Sequence, residues 1–189
     1  MSTRPPRMPM IADDALSAAQ KSAIEAIVAG PRGRLVGPFI PLLRSPEFML
    51  RLQHTGAYLR FDSALEPRRS EMVILMTARL WTQAFEWHHH RPIAEKAGLS
   101  AEIIDAIAEG RRPAKMAADE AVIYDFVDEL SRTRSVSDAT YARAVEQFGE
   151  RGVIDMIGIH GYYSLLAMVL NVSRAPLPEG SKPGIDHLP

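Results

Sequence analysis

Proline limits what this chain can fold into more than any other feature, because it has no amide hydrogen and obstructs a helix interior. The 14 prolines are spread unevenly over 189 residues. Three fall in residues 1–9 and four in residues 176–189, so both ends are expected to run as extended arms. Residues 30–46 hold Gly30, Pro31, Gly33, Gly37, Pro38, Pro41 and Pro46, the composition of a long loop, functional or draped over a surface. From Ala114 to Ala175 proline is missing, which leaves room for long uninterrupted helices. Nothing resembles a linker, and one domain over residues 1–189 is expected.

Local signals place the helices. Ser17 with Gln20 three residues on has the form of a capping box, and Ala23, Ile24, Ile27 and Val28 then make an apolar stripe ending at Gly30. Ser45-Pro46 reads as an N-cap followed by proline at the first helical position, opening a helix to about Phe61. Pro67 opens another, whose Met72-Val73-Ile74-Leu75-Met76 run is apolar on every side and therefore central. Ser100 is expected to cap a short helix with Ile103, Ile104 and Ile107 inward and Gly110 as its stop. Ile123, Phe126, Val127 and Leu130 mark the inner face of the next. Helices from about Ser137 to Phe148 and from about Val153 to Val172 complete an all-α fold of seven or eight helices, with no alternating strand pattern. Glu71-Met72-Val73-Ile74-Leu75 and Asp155-Met156-Ile157-Gly158-Ile159 echo each other as an acid leading an apolar run, a possible trace of duplication.

Composition removes whole classes of function. There is no cysteine, which excludes disulfides, thiolate metal sites and thiol nucleophiles in this chain. Lysine plus arginine is 22 against 23 acids, a net charge of −1, which argues against nucleic acid and against a polybasic membrane anchor. Val153–Val172 is long enough to cross a bilayer, but it carries Asp155, His160, Ser164 and Asn171, so a buried core or subunit-interface helix is expected instead of a membrane span. The N-terminal residues lack the apolar stretch of a secretory signal, and the expected compartment is the cytoplasm.

The segment Trp81–Gly98 is richest in reactive side chains. His88, His89 and His90 are adjacent, so on a helix they point about 100° apart and do not converge on one metal ion. Glu86 and His90 stand four residues apart on one helix face. They form either a proton-transfer pair or, as spacing alone favours, a surface ion pair of little energetic weight. Glu71 is either an exposed first-turn acid or a partly buried one on the stripe of Ile74, Leu75 and Ala78. On a single straight helix Glu71 and His90 would lie roughly 28 Å apart. They meet only if the chain turns near Leu80–Ala84, where Thr82 is the candidate cap, or across a subunit contact. Phe85 and Trp87 are candidate apolar walls, although each alone reads as core packing. His160 reads as a satisfied core histidine, His54 as an exposed one, and His187 falls in the tail. Arg44, Arg51, Arg60 and Arg79 are candidate anchors for a substrate carboxylate.

The stretch from Arg69 to Ile107 resembles the carboxymuconolactone decarboxylase family, which shares its fold with alkyl hydroperoxidase D. The residues that carry the resemblance are Glu71-Met72-Val73-Ile74-Leu75, then Glu86-Trp87 with His90, then Ala94, Ala97-Gly98-Leu99-Ser100 and Ile103-Ile104. Gly161-Tyr162-Tyr163 and Pro176-Leu177-Pro178-Glu179-Gly180 add to it. The resemblance implies an alkyl hydroperoxidase D-like all-α bundle, usually a homo-oligomer such as a trimer or hexamer. It implies a cofactor-free lyase acting on a small carboxylated γ-lactone or related acid, with Glu71, Glu86 and His90 as catalytic residues and neither metal nor cofactor. A hydrolase or isomerase on the same scaffold, or a non-enzymatic binding protein, are the alternatives. Where peroxidase members carry a cysteine pair this chain has Gln83 and Glu86, so thiol peroxidase chemistry is not expected.

Overall fold

The computed structural model describes residues 5–30 and 33–186; Pro31 and His187 lie outside the described residues. Among the described residues there are eight α-helices and no strand, as the proline-free stretches and helical periodicity predict. A 3-10 turn at Asp13–Ala15 precedes α1 (Ala18–Ala29), α2 (Phe39–Leu42) and α3 (Pro46–Phe61). Then follow α4 (Pro67–Leu80), α5 (Ala84–Lys96), α6 (Ala101–Ala108), α7 (Ala118–Thr133) and α8 (Asp138–Ser173).

Three helix starts follow their sequence signals. Ser17 and Gln20 form a reciprocal capping box, Gln20 N–H donating to Ser17 Oγ at 3.3 Å and Ser17 N–H to Gln20 Oε1 at 2.9 Å. Ser100 Oγ accepts from Ile103 N–H and Ser137 Oγ from Thr140 N–H. Ser45 does not cap α3 with its side chain; Pro46 at the first position sets that start by its fixed φ instead. The 30–46 segment is more than loop, because α2 makes one turn there and buries Phe39, Pro41 and Leu42. Gly149, at φ 66° and ψ 170°, breaks α8 into two helical pieces. They correspond to the two helices expected on either side of residues 149–152.

α4 is the hub. Every residue from Ser70 to Arg79 is buried, and the helix packs against α5, α6, α7 and α8. Burying Met72, Ile74 and Leu75 removes large apolar surfaces from water, roughly 1.5–3 kcal/mol for each side chain. α8 is apolar and long enough to cross a membrane by composition and length. Here it packs on α4, α7, α3 and α2 and buries Asp155, whose carboxylate accepts from Tyr58 Oη at 3.1 Å and Ala64 N–H at 2.8 Å. Asp155 thus pins the α3–α4 connection, a different task from that of its sequence echo Glu71.

Both arms are tied down. Arg7 N–H donates to Ser173 O at 2.8 Å, and Arg44 Nη2 holds Pro9 O at 2.7 Å. At the other end Arg79 Nη1 donates to Asp186 O at 2.6 Å, and Ile185 is buried. The C-terminal arm therefore crosses back over the α4–α5 turn.

Candidate active site

The α4–α5 turn makes the site possible. Trp81 continues the last turn of α4, and Thr82 then enters the left-handed region at φ 47°. A threonine pays for that conformation in strain, and Arg79 Nη2 donates to its Oγ1 at 2.8 Å. Gln83 N–H donates to Ala78 O at 2.8 Å, closing the turn. Thr82 is therefore the bend and Gln83 is the cap: Gln83 Oε1 accepts from Phe85 N–H at 2.7 Å. α5 folds back along α4, and residues nineteen apart in sequence come into contact.

That contact joins His90 to Glu71. His90 Nδ1 lies 2.7 Å from Glu71 Oε2. Glu71, Glu86 and His90 are only 5%, 3% and 4% exposed, so neither the exposed first-turn acid nor the surface ion pair is what forms. The i,i+4 spacing of Glu86 and His90 misleads. His90 turns to α4 for its partner, and neither Glu86 oxygen has a hydrogen-bond partner among the described residues. Burial without a compensating cation or donor pushes the Glu86 carboxyl well above the usual carboxylate range, which favours its protonated form.

Glu86 and His90 line one cavity of about 370 Å³. Phe39, Phe85, Ile93 and Leu166 give it apolar walls, and Tyr163 stands edge-on to the His90 ring at 5.0 Å. Burial pushes the Tyr163 phenol up, with Glu71 and Glu86 adding to the effect and Arg60 opposing it, so Tyr163 is a neutral donor. Glu71 holds His90 from outside the lining. With Nδ1 engaged, Nε2 is the ring nitrogen left for a ligand in the cavity.

Of the four candidate carboxylate anchors, Arg60 lines the cavity. Arg79 is committed to the C-terminal arm and Thr82, and Arg44 to the N-terminal arm. Arg51 pairs with Glu47 on the surface. Arg34 also lines the cavity, on the loop after Gly33, and sequence reasoning missed it; a cation set among glycines and prolines of a long loop was the available signal. In the sequence Tyr163 has no signal of its own beyond the resemblance carried by Gly161-Tyr162-Tyr163. Trp87, expected as a wall, is absent from this lining: its side chain is fully buried and lies against Gly184 of the C-terminal arm. Among the described residues no group of three or more His, Asp or Glu side chains is placed to hold a metal ion. His160 is a linker between helices, its Nδ1 2.9 Å from Thr77 Oγ1 and its Nε2 3.5 Å from Ser131 Oγ.

Comparison with known proteins agrees with this fold. Residues 46–128 match the model of the carboxymuconolactone decarboxylase family. The AhpD core of an uncharacterized peroxidase-related protein from Ralstonia eutropha JMP134 superposes with a TM-score of 0.74 at 16% identity, over 94% of this chain and 95% of that one. A protein of unknown function from Agrobacterium tumefaciens, suggested to be an antioxidant defence protein AhpD, gives 0.65 at 17% identity, over 72% of this chain and 94% of that one. No curated protein matches the chain. Residues 46–128, which carry Glu71, Glu86 and His90 on α4 and α5, thus match the carboxymuconolactone decarboxylase family, set within an AhpD-like helical fold.

Proposed function

We propose that this chain is a lyase of the carboxymuconolactone decarboxylase type that removes CO₂ from a small carboxylated γ-lactone by proton transfer. The observation that carries the reading is the buried His90–Glu71 contact at 2.7 Å with a buried, unpartnered Glu86 on the cavity that His90 also lines. Two acids in environments that favour the protonated form of one and engage the other with an imidazole are the usual division between donor and base.

In this reading Arg60 and Arg34 hold one substrate carboxylate by charge. A second carboxylate, against the apolar walls of Phe85 and Leu166, is destabilised there and leaves. The C–COO⁻ bond breaks, its electron pair flows into the conjugated ring carbonyl, and CO₂ departs. His90 and Tyr163 face the developing oxyanion. The Glu86 carboxyl gives its proton to carbon and regains one from water between turnovers. The neighbours' association with peroxidases does not transfer, because a thiolate has to attack the peroxide and this chain has no cysteine.

A second reading, an isomerase or hydrolase using the same donor and base, is favoured by Glu86 itself, since an acid with a raised pKa on the same cavity as an imidazole needs no leaving carboxylate to be useful. Supply of a dicarboxylated unsaturated γ-lactone with measurement of released CO₂ separates the two. Release that falls by about 10²- to 10⁴-fold in both His90→Ala and Glu86→Gln supports the lyase. Absence of CO₂ with turnover of a non-carboxylated lactone favours the second reading. Absence of both, in a folded protein, overturns proton-transfer catalysis.

A homo-oligomer in the cytoplasm is part of the same proposal. Ile154, Ile157, Met168 and Val172 are exposed at helical spacing along α8, a face suited to a second copy of the chain.

A further inference from the structure

Phe85 lies on the wall of two cavities. One is the site holding Glu86 and His90; the other, of about 670 Å³, runs beneath the C-terminal arm between Gln83, Asn171 and Pro176–Ile185. Along the first turn of α5 the openings alternate: Gln83 and Ala84 face the second cavity, Glu86 the first, and Phe85 both. Two contacts fix the ring. His89 stacks on it at 6.4 Å with the planes 12° apart. Gly37, at φ 57°, comes so close that a Cβ there would sit 2.5 Å from Phe85 Cε1. A glycine that lets backbone lean on an aromatic face leaves the ring no room to swing toward the loop. Arg34 and Arg60 line the first cavity alone; the second is walled mainly by Leu170, Leu177, Ile185 and prolines of the arm, with Arg174, Glu179 and Asp186 also on its lining.

We propose that Phe85 is the partition that sets substrate length, and that the cavity under the C-terminal arm is a latent subsite for an apolar tail. With the ring in place the site admits a short acid. Without it the two cavities join, and a chain anchored at Arg60 and Arg34 extends beneath the arm. The choice of a carboxylate as anchor rests on the proposed function; the partition itself does not.

Isothermal titration calorimetry with straight-chain carboxylates from butanoate to dodecanoate, and with the matching primary alcohols, tests it on wild type, Phe85→Ala and Phe85→Leu. A melting curve confirms folding, and the leucine variant carries the test if alanine unfolds. In wild type, affinity stops rising at a chain length where the tail meets the ring. In Phe85→Ala it continues to rise by about fourfold for each added methylene, with Phe85→Leu between. The same break point in wild type and variants, for acids and alcohols alike, overturns the partition. If alcohols show the shifted break and carboxylates bind neither protein, the partition stands and the anionic substrate of the proposed function falls.

Discussion

Gln83 Nε2 donates to Asn171 Oδ1 at 2.8 Å, and Asn171 Nδ2 donates in turn to Trp81 O at 3.1 Å. One amide on α8 thus holds both sides of the turn that brings His90 to Glu71. Asn171→Ala removes both bonds and is expected to cost about 1–2 kcal/mol, lowering the melting temperature by a few degrees. A double-mutant cycle with Gln83→Ala should show the two changes to be less than additive, because they share one bond. Full additivity would mean that the turn holds itself.

Glu86 makes stability depend on pH. Its folded-state pKa is raised above the unfolded value by burial, so the folded protein binds the extra proton. The stabilisation is complete below the ordinary carboxylate range and is lost as pH rises toward the raised value. Urea midpoints measured from about pH 5 to about pH 8 should fall in wild type and fall less in Glu86→Gln, which keeps the shape and never ionises. Equal slopes in the two proteins would place the ionisation elsewhere.

Much of this fold is legible because its signals are local. The Ser17, Ser100 and Ser137 caps act within one turn, and the Met72–Met76 run is apolar on every side wherever it packs. The site is less legible, because its defining contact spans nineteen residues and depends on a bend that neither glycine nor proline marks. A threonine in the left-handed region, held by Arg79, carries no sequence signature. Local spacing even points the wrong way, toward a Glu86–His90 pair, because an i,i+4 rule does not know that a second helix offers His90 a nearer acid. Trp87 is misplaced for a similar reason: the C-terminal arm that covers it comes from nearly a hundred residues later.

In the proposed reaction Glu71 acts through His90, as a positioning residue. Glu71 Oε2 at 2.7 Å from Nδ1 is expected to accept from Nδ1–H and so to favour the tautomer that leaves Nε2 as the acceptor. Nitrogen-15 chemical shifts should show that single tautomer for His90 in wild type and a mixture in Glu71→Ala. Turnover should drop through kcat with KM little changed, since the substrate anchors at Arg34 and Arg60 are untouched. Loss through KM alone, with the tautomer unchanged, would assign Glu71 to packing.

The C-terminal arm is tested at Gly184. It sits at φ 73°, where an L side chain is strained, and a Cβ would meet Trp87 Cδ1 at 2.8 Å and Nε1 at 3.1 Å. Neither partner has room to give, because Trp87 is fully buried in α5. Gly184→Ala is expected to lift the arm, with a cost of about 1–3 kcal/mol. Exposure of Trp87 then shifts its emission to the red, read cleanly in a Trp81→Phe background. The arm also roofs the cavity beside Phe85, so the same variant should admit the long alcohols more quickly without altering the break point that Phe85 sets. A red shift with unchanged entry rates would separate the arm's packing on Trp87 from its cover of that cavity.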